Sequence, residues 1–125
     1  MPLASALKAV ALHAFPDREA QVFALDVPSS AQAGEVTASA LALMAANAPT
    51  DWLVLTDAFG ATPCNAALEL RDAARSVRLI SGLNVPMLWR ALCYGDEPLD
   101  ALVGLAAEGG HAGIKIADLP SSPAP

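Results

Sequence analysis

A chain of 125 residues, 54% hydrophobic and 16% charged, has the length of one domain and enough apolar surface to bury a core, which excludes a disordered polypeptide. Seven basic against thirteen acidic residues leave a net charge of −6, which argues against phosphate-backbone binding and so against nucleic acid as the main partner. No run reaches the roughly 18 apolar residues of a membrane span, and the first residues lack the layout of a signal peptide, so the expected setting is cytoplasmic, without direct membrane insertion.

Residues 3–14 place Leu3, Leu7, Val10 and Ala14 on one helical face before Pro16 and Asp17 break the pattern, which predicts an opening helix. Residues 21–27 (QVFALDV) read as a strand closed by Pro28-Ser29-Ser30, and an alanine-rich helix follows over about 31–46. The near-continuous apolar run Trp52-Leu53-Val54-Leu55-Thr56 is of the kind buried on both faces of a parallel sheet. After Asp57 and the loop 58–63, a helix is expected over about 63–74, with Thr62 as N-cap and Pro63 at its first position.

Ser76-Val77-Arg78-Leu79-Ile80 gives another strand, closed by Ser81-Gly82-Leu83-Asn84. Helices are expected over about 86–94 and 97–108, the second stopped by Gly109-Gly110, and Gly113-Ile114-Lys115-Ile116 offers a short last strand. Residues 1–117 form one domain in this reading, and the proline-rich residues 118–125 a disordered tail. The 28 alanines and six aromatics imply a core of closely approaching helices. Cys64 and Cys93 form neither a disulfide framework nor a zinc-ligand set; they read as small core residues, and no metal or cofactor is expected. Trp52 and Trp89 read as core or interface residues. The fold class is α/β, an open and mainly parallel sheet with helices on both faces and right-handed crossovers.

In such sheets ligands bind where the carboxyl ends of strands lead into helix N-termini. Two loops have that character: residues 56–65, with the carboxylate of Asp57, glycine freedom and exposed helix-start amides, and residues 81–87, with Asn84 free to hydrogen-bond across to the first loop. Free amides favour an anion. Plainer roles exist for each residue: Asp57 as a cap, Asn84 as a turn residue in left-handed conformation, Thr62 and Pro63 as helix-start chemistry. Composition and spacing lead to a small anion-binding crevice.

The segments LVLTDAFGATPCNAA (53–67) and ISGLNVPMLWRAL (80–92) resemble the signature segments of the mannose-type IIA components of the bacterial phosphoenolpyruvate-dependent sugar phosphotransferase system. The likeness continues through ALDVPSS (24–30) and LDALVGLAAEGGHAGI (99–114). The resemblance implies a phosphocarrier that takes a phosphoryl group from the phosphohistidine of HPr and passes it to a IIB component. It further implies that Asp57 orients an acceptor imidazole, supporting the charge that builds on the ring as its other nitrogen attacks phosphorus. Phe59, Gly60, Ala61 and Thr62, together with Asn84, would hold the phosphoryl oxygens. Members of this family also resemble dimers that exchange or pair their last strand.

One departure from the family pattern stands out. The family chain begins with a strand and a Thr-His-Gly segment before the first helix, whereas Met1-Pro2-Leu3-Ala4-Ser5 already resembles that helix's start. The acceptor histidine is therefore expected immediately upstream, with His13 and His111 as the histidines present. His13 is about 15 Å along the helix from its start, and His111 follows the last helix, so both are expected at the edge opposite Asp57. A start assigned too late, a truncated chain, and a degenerate paralogue pairing its second and third strands directly all account for the departure; intact site loops favour the first. Two alternative functions keep the fold: a regulatory module that binds HPr without taking phosphate, and the phosphocarrier domain of a dihydroxyacetone kinase system. Genomic neighbourhood separates the carriers, and phosphoryl uptake separates both from the regulator.

Overall fold

The computed structural model describes residues 3–28, 30–47, 51–57 and 76–120. In chain order these form helix α1 (Leu3–Ala14), a 3-10 helix (Pro16–Gln21), α2 (Ala33–Ala45), strands β1 (Asp51–Thr56) and β2 (Ser76–Ser81), and helices α3 (Val85–Cys93) and α4 (Leu99–Ala112). The helix expected over 63–74, Cys64 and the tail beyond Pro120 lie outside the described residues.

β1 and β2 pair in parallel, with Asp51 opposite Ser76 and Thr56 opposite Ser81. Alternation along β1 turns Leu53 and Leu55 to one face. There they meet Met87 and Ala91 of α3 and Ala106 of α4, with Ile80, Leu83 and Leu102 around them. Leu55 also joins a second cluster in which Ala11 of α1 packs on Leu88 and Leu92. The described architecture is thus the expected α/β one. Ala11 and Ala106 are fully buried, so the core is built from small residues that let helices approach closely. Trp52 is half-buried, its ring 5.4 Å from that of Phe23 and tilted by 48°.

Five expectations are corrected. Residues 22–28 form no strand. Val22 has extended backbone and packs on the Ala11 cluster, but no neighbouring strand among the described residues bonds this segment, and extended residues without a ladder remain coil. Direct pairing of 21–27 with 51–56 is likewise not seen. Gly109 and Gly110 do not stop the last helix, which runs through them to Ala112. A Cβ at Gly109 would meet Arg90 Cβ at 2.5 Å, and one at Gly110 would meet Met87 Cε at 2.8 Å; these glycines are the seam where α4 lies against α3.

Residues 114–116 are coil, with Ile114 and Ile116 71% and 92% exposed, because no strand edge among the described residues receives them. Cys93 is exposed rather than buried, since the last turn of α3 turns it away from the packed face that holds Leu92.

These glycines predict opposite responses to alanine. Gly104 has open space for a Cβ, so Gly104→Ala should raise stability by about 0.5–1 kcal/mol through helix propensity. Gly109→Ala should lower it by about 1–3 kcal/mol, because overpacking at the seam outweighs the same propensity gain. Urea denaturation of both variants measures the two signs.

Candidate functional site

The carboxyl ends of the two strands are cross-linked through their backbones. Leu83 N–H donates to the Thr56 carbonyl at 3.0 Å, and Gly82 N–H donates to the Asp57 carbonyl at 3.1 Å. Gly82 reaches this position with φ +82°, a left-handed conformation that glycine adopts at little cost. Asp57 is exposed at this edge, directly beyond the last residue of β1.

Asn84 is the N-cap of α3. Its Oδ1 accepts from Met87 N–H at 2.9 Å, and its Nδ2 donates to the Gly110 carbonyl in the last turn of α4 at 3.0 Å. Its φ of −135° is extended, not left-handed as a plain turn role would have it. The side chain is thus engaged with two helices, and a second amide hydrogen is left for another acceptor.

The same Asn84–Gly110 bond relocates His111. α3 leaves the carboxyl edge, α4 returns to it, and His111 follows Gly110 there as an exposed side chain. The expectation that it lies at the opposite edge overlooked that consecutive helices joined by a short turn run antiparallel. His13 does lie at the opposite edge: Arg18, just beyond α1, pairs with Asp96, just beyond α3, at 3.0 Å. Because Ala11 and Leu7 of α1 also pack with Leu88 and Leu92 of α3, the two helices lie side by side with their C-terminal ends together, and α1 runs from the carboxyl edge.

Asp26 supplies an anion to that beginning. α1 has no acidic residue in its first turn. Ser5 N–H donates to Asp26 Oδ1 at 2.9 Å, and the Ser5 hydroxyl donates to Asp26 Oδ2, satisfying an orphan helix donor from 21 residues away. The hydroxyl first, and then the N–H, hold the Asp26 carboxyl below the usual carboxylate range. No local signal marks Asp26 in the sequence, because N-cap patterns are read only within a few residues of the helix.

Thr56 was also missed. It is 8% exposed, and its Oγ1 finds no hydrogen-bond partner among the described residues, a condition that ordinarily costs about 1–3 kcal/mol. The structure therefore brings Asp57, Asn84 and His111 to one edge, beside the start of α1. Phe59, Gly60, Ala61 and Thr62 lie outside the described residues. A carboxylate beside cap amides can orient a cationic or hydrogen-bonding ring. Among the described residues, no group of three or more His, Cys, Asp and Glu side chains is placed to hold a metal ion, and no helix is long and apolar enough to cross a membrane.

Residues 2–103 match the family described as PTS system fructose IIA component. The chain is 38% identical over 65 residues to the mannose-specific EIIAB component of the phosphotransferase system in Escherichia coli K12, and equally to that of Shigella flexneri. The match takes in 50% of this chain and only 20% of either protein, so it spans about a fifth of those relatives. The fold is similar to that of the mannose/sorbose-specific IIA subunit of Enterococcus faecalis, with TM-score 0.83 at 23% identity, over 95% of this chain and 89% of that one. It is also similar to the EIIA component of Streptococcus agalactiae, with TM-score 0.81 at 23% identity, over 91% and 88%.

Two outcomes follow from the edge geometry. Asn84→Ala removes a cap and a tether together and should cost about 1–3 kcal/mol in urea denaturation. A carboxyl held low when folded stabilises above its unfolded pKa of about 4 and loses that contribution as pH falls through its folded value. The thermal midpoint of the natural chain should therefore fall more steeply below about pH 4 than that of Asp26→Asn, which has no such carboxyl to protonate.

Proposed function

This chain belongs to the mannose-type IIA family of the phosphotransferase system, and from that premise we propose that it is a phosphocarrier. It takes a phosphoryl group from phosphorylated HPr onto a histidine and hands it to a IIB component, in the cytoplasm and without a cofactor. The observation that carries this reading is the family match over residues 2–103. The juxtaposition of Asp57 and Asn84 on cross-linked strand ends adds support.

The reaction moves one phosphoryl group between two imidazoles. A ring nitrogen of the acceptor attacks phosphorus, a new P–N bond forms, and the P–N bond to the HPr imidazole breaks. Asp57 accepts from the other ring nitrogen, fixing the tautomer and supporting the positive charge that develops. The loop amides of Phe59, Gly60, Ala61 and Thr62, the Thr62 hydroxyl and the remaining amide hydrogen of Asn84 hold the phosphoryl oxygens.

The resemblance puts the acceptor histidine on a strand leading into α1, and such a strand would end at the same edge as Asp57. His111 is a poor acceptor despite its position. It sits in the last turn of α4, where carbonyl dipoles repel a phosphoryl dianion. Ile114, Ile116 and Leu119, exposed by 71%, 92% and 82%, are the apolar residues through which two copies would pair as a homodimer.

Radiolabelled phosphoenolpyruvate with enzyme I and HPr tests the assignment. A form lengthened by the upstream strand and its Thr-His should take up label stoichiometrically, about 100-fold more slowly when Asp57 is replaced by Asn, while the 125-residue chain takes up none. Label on His111 or His13 contradicts the proposal. For the dimer, deletion of residues 112–125 should convert dimers to monomers in sedimentation, and an unchanged mass rejects the pairing.

A further inference from the structure

We propose that the groove along the outer side of α3 docks an acidic segment of a partner protein that carries an apolar anchor residue. The groove has a volume of about 420 Å³, is largely open to solvent, and is bordered by Phe15, Pro86, Trp89, Arg90, Cys93 and Lys115. None of its lining residues comes from β1, β2 or the turn before α3; the groove runs along α3 from Cys93 to Pro86, where it is closed by Ala112, Gly113 and Lys115 at the end of α4.

Charge selects the partner. The chain as a whole carries a net charge of −6. Arg18 and Arg78 are committed to Asp96 and Asp100. Arg90 and Lys115 make no ion pair among the described residues, and both border this groove. Two unspent cations beside an indole on an acidic molecule attract carboxylates and repel basic segments.

Packing selects the anchor. α3 buries Met87, Leu88, Ala91 and Leu92, yet leaves Trp89 43% exposed, so the core does not require that indole. Exposed Trp beside Arg is the composition of binding hot spots. The stem of Arg90 is already held: α4 lies so close that a Cβ at Gly109 would meet Arg90 Cβ at 2.5 Å. A pre-ordered stem loses less freedom when its guanidinium is engaged. An open groove admits a length of chain better than an enclosed small molecule.

Fluorescence anisotropy on the full chain tests this with a fluorescein-labelled decapeptide of alternating Glu and Leu with a central Phe, against the same peptide with Lys for Glu. The acidic peptide should bind saturably, and the Lys peptide at least about tenfold more weakly. Trp89→Ala, and Arg90→Glu combined with Lys115→Glu, should each weaken the acidic peptide about tenfold or more. Circular dichroism checks their folding, and Trp89→Phe serves as a milder second variant. In the natural chain, alkylation of Cys93 by iodoacetamide, read by peptide mass mapping, should slow when the acidic peptide is bound.

Absence of binding, equal affinity for both peptides, or indifference to charge reversal overturns the proposal. So does self-association in sedimentation that Trp89→Ala abolishes, which would make the groove a contact between copies of this chain.

Discussion

The side-chain amide of Asn84 holds three elements at one point. Its carbonyl oxygen closes the N-terminus of α3, its N–H holds the last turn of α4, and its backbone lies three residues past the end of β2. A strand end, a helix start and a helix end thereby share a single anchor. The bond forms only because glycines let the two helices meet. With side chains at positions 109 and 110, Arg90 and Met87 would have to move, disturbing the two helices that the bond joins. Close packing and the capping bond are therefore one constraint, and the geometry of the carboxyl edge depends on it.

From that anchor the chemistry of the edge can be followed outward. The turn between β2 and α3 is bonded back onto the end of β1 by Gly82 and Leu83, which holds the backbone of Asp57 in place. α1 is aligned with α3 at the far edge by Arg18 and Asp96 and is capped near the site by Asp26. A carboxylate, a cap amide and a helix start converge there. This convergence suits the phosphoryl transfer proposed for the family member, which needs positioning and electrostatic support more than covalent chemistry.

Helices over 3–14 and 86–94 and strands over 52–56 and 76–80 were readable from periodicity and from Pro, Gly and Asn signals, because each follows from local patterning. The strand over 21–27 was misread for the same reason that it looked convincing: β-branched and aromatic residues favour extended backbone, but a strand exists only where a neighbour completes its ladder. The glycine pair was misread because glycine serves both as a helix terminator and as a point of close approach, and the two uses look alike until the opposing helix is known. The pairing of Ser5 with Asp26 had no local signal at all.

By itself the sequence determined the fold class, the family, the order of most helices and strands and the identity of Asp57 and Asn84 as strand-end residues, since these rest on local patterns and motifs. The tertiary structure alone decided that Asn84 binds Gly110, that His111 returns to the edge of Asp57, that Asp26 caps a helix 21 residues away, and that Trp89, Arg90 and Lys115 share one groove. Each of these depends on how distant segments lie against one another, and the direction in which a helix returns is set by packing rather than by the residues that compose it.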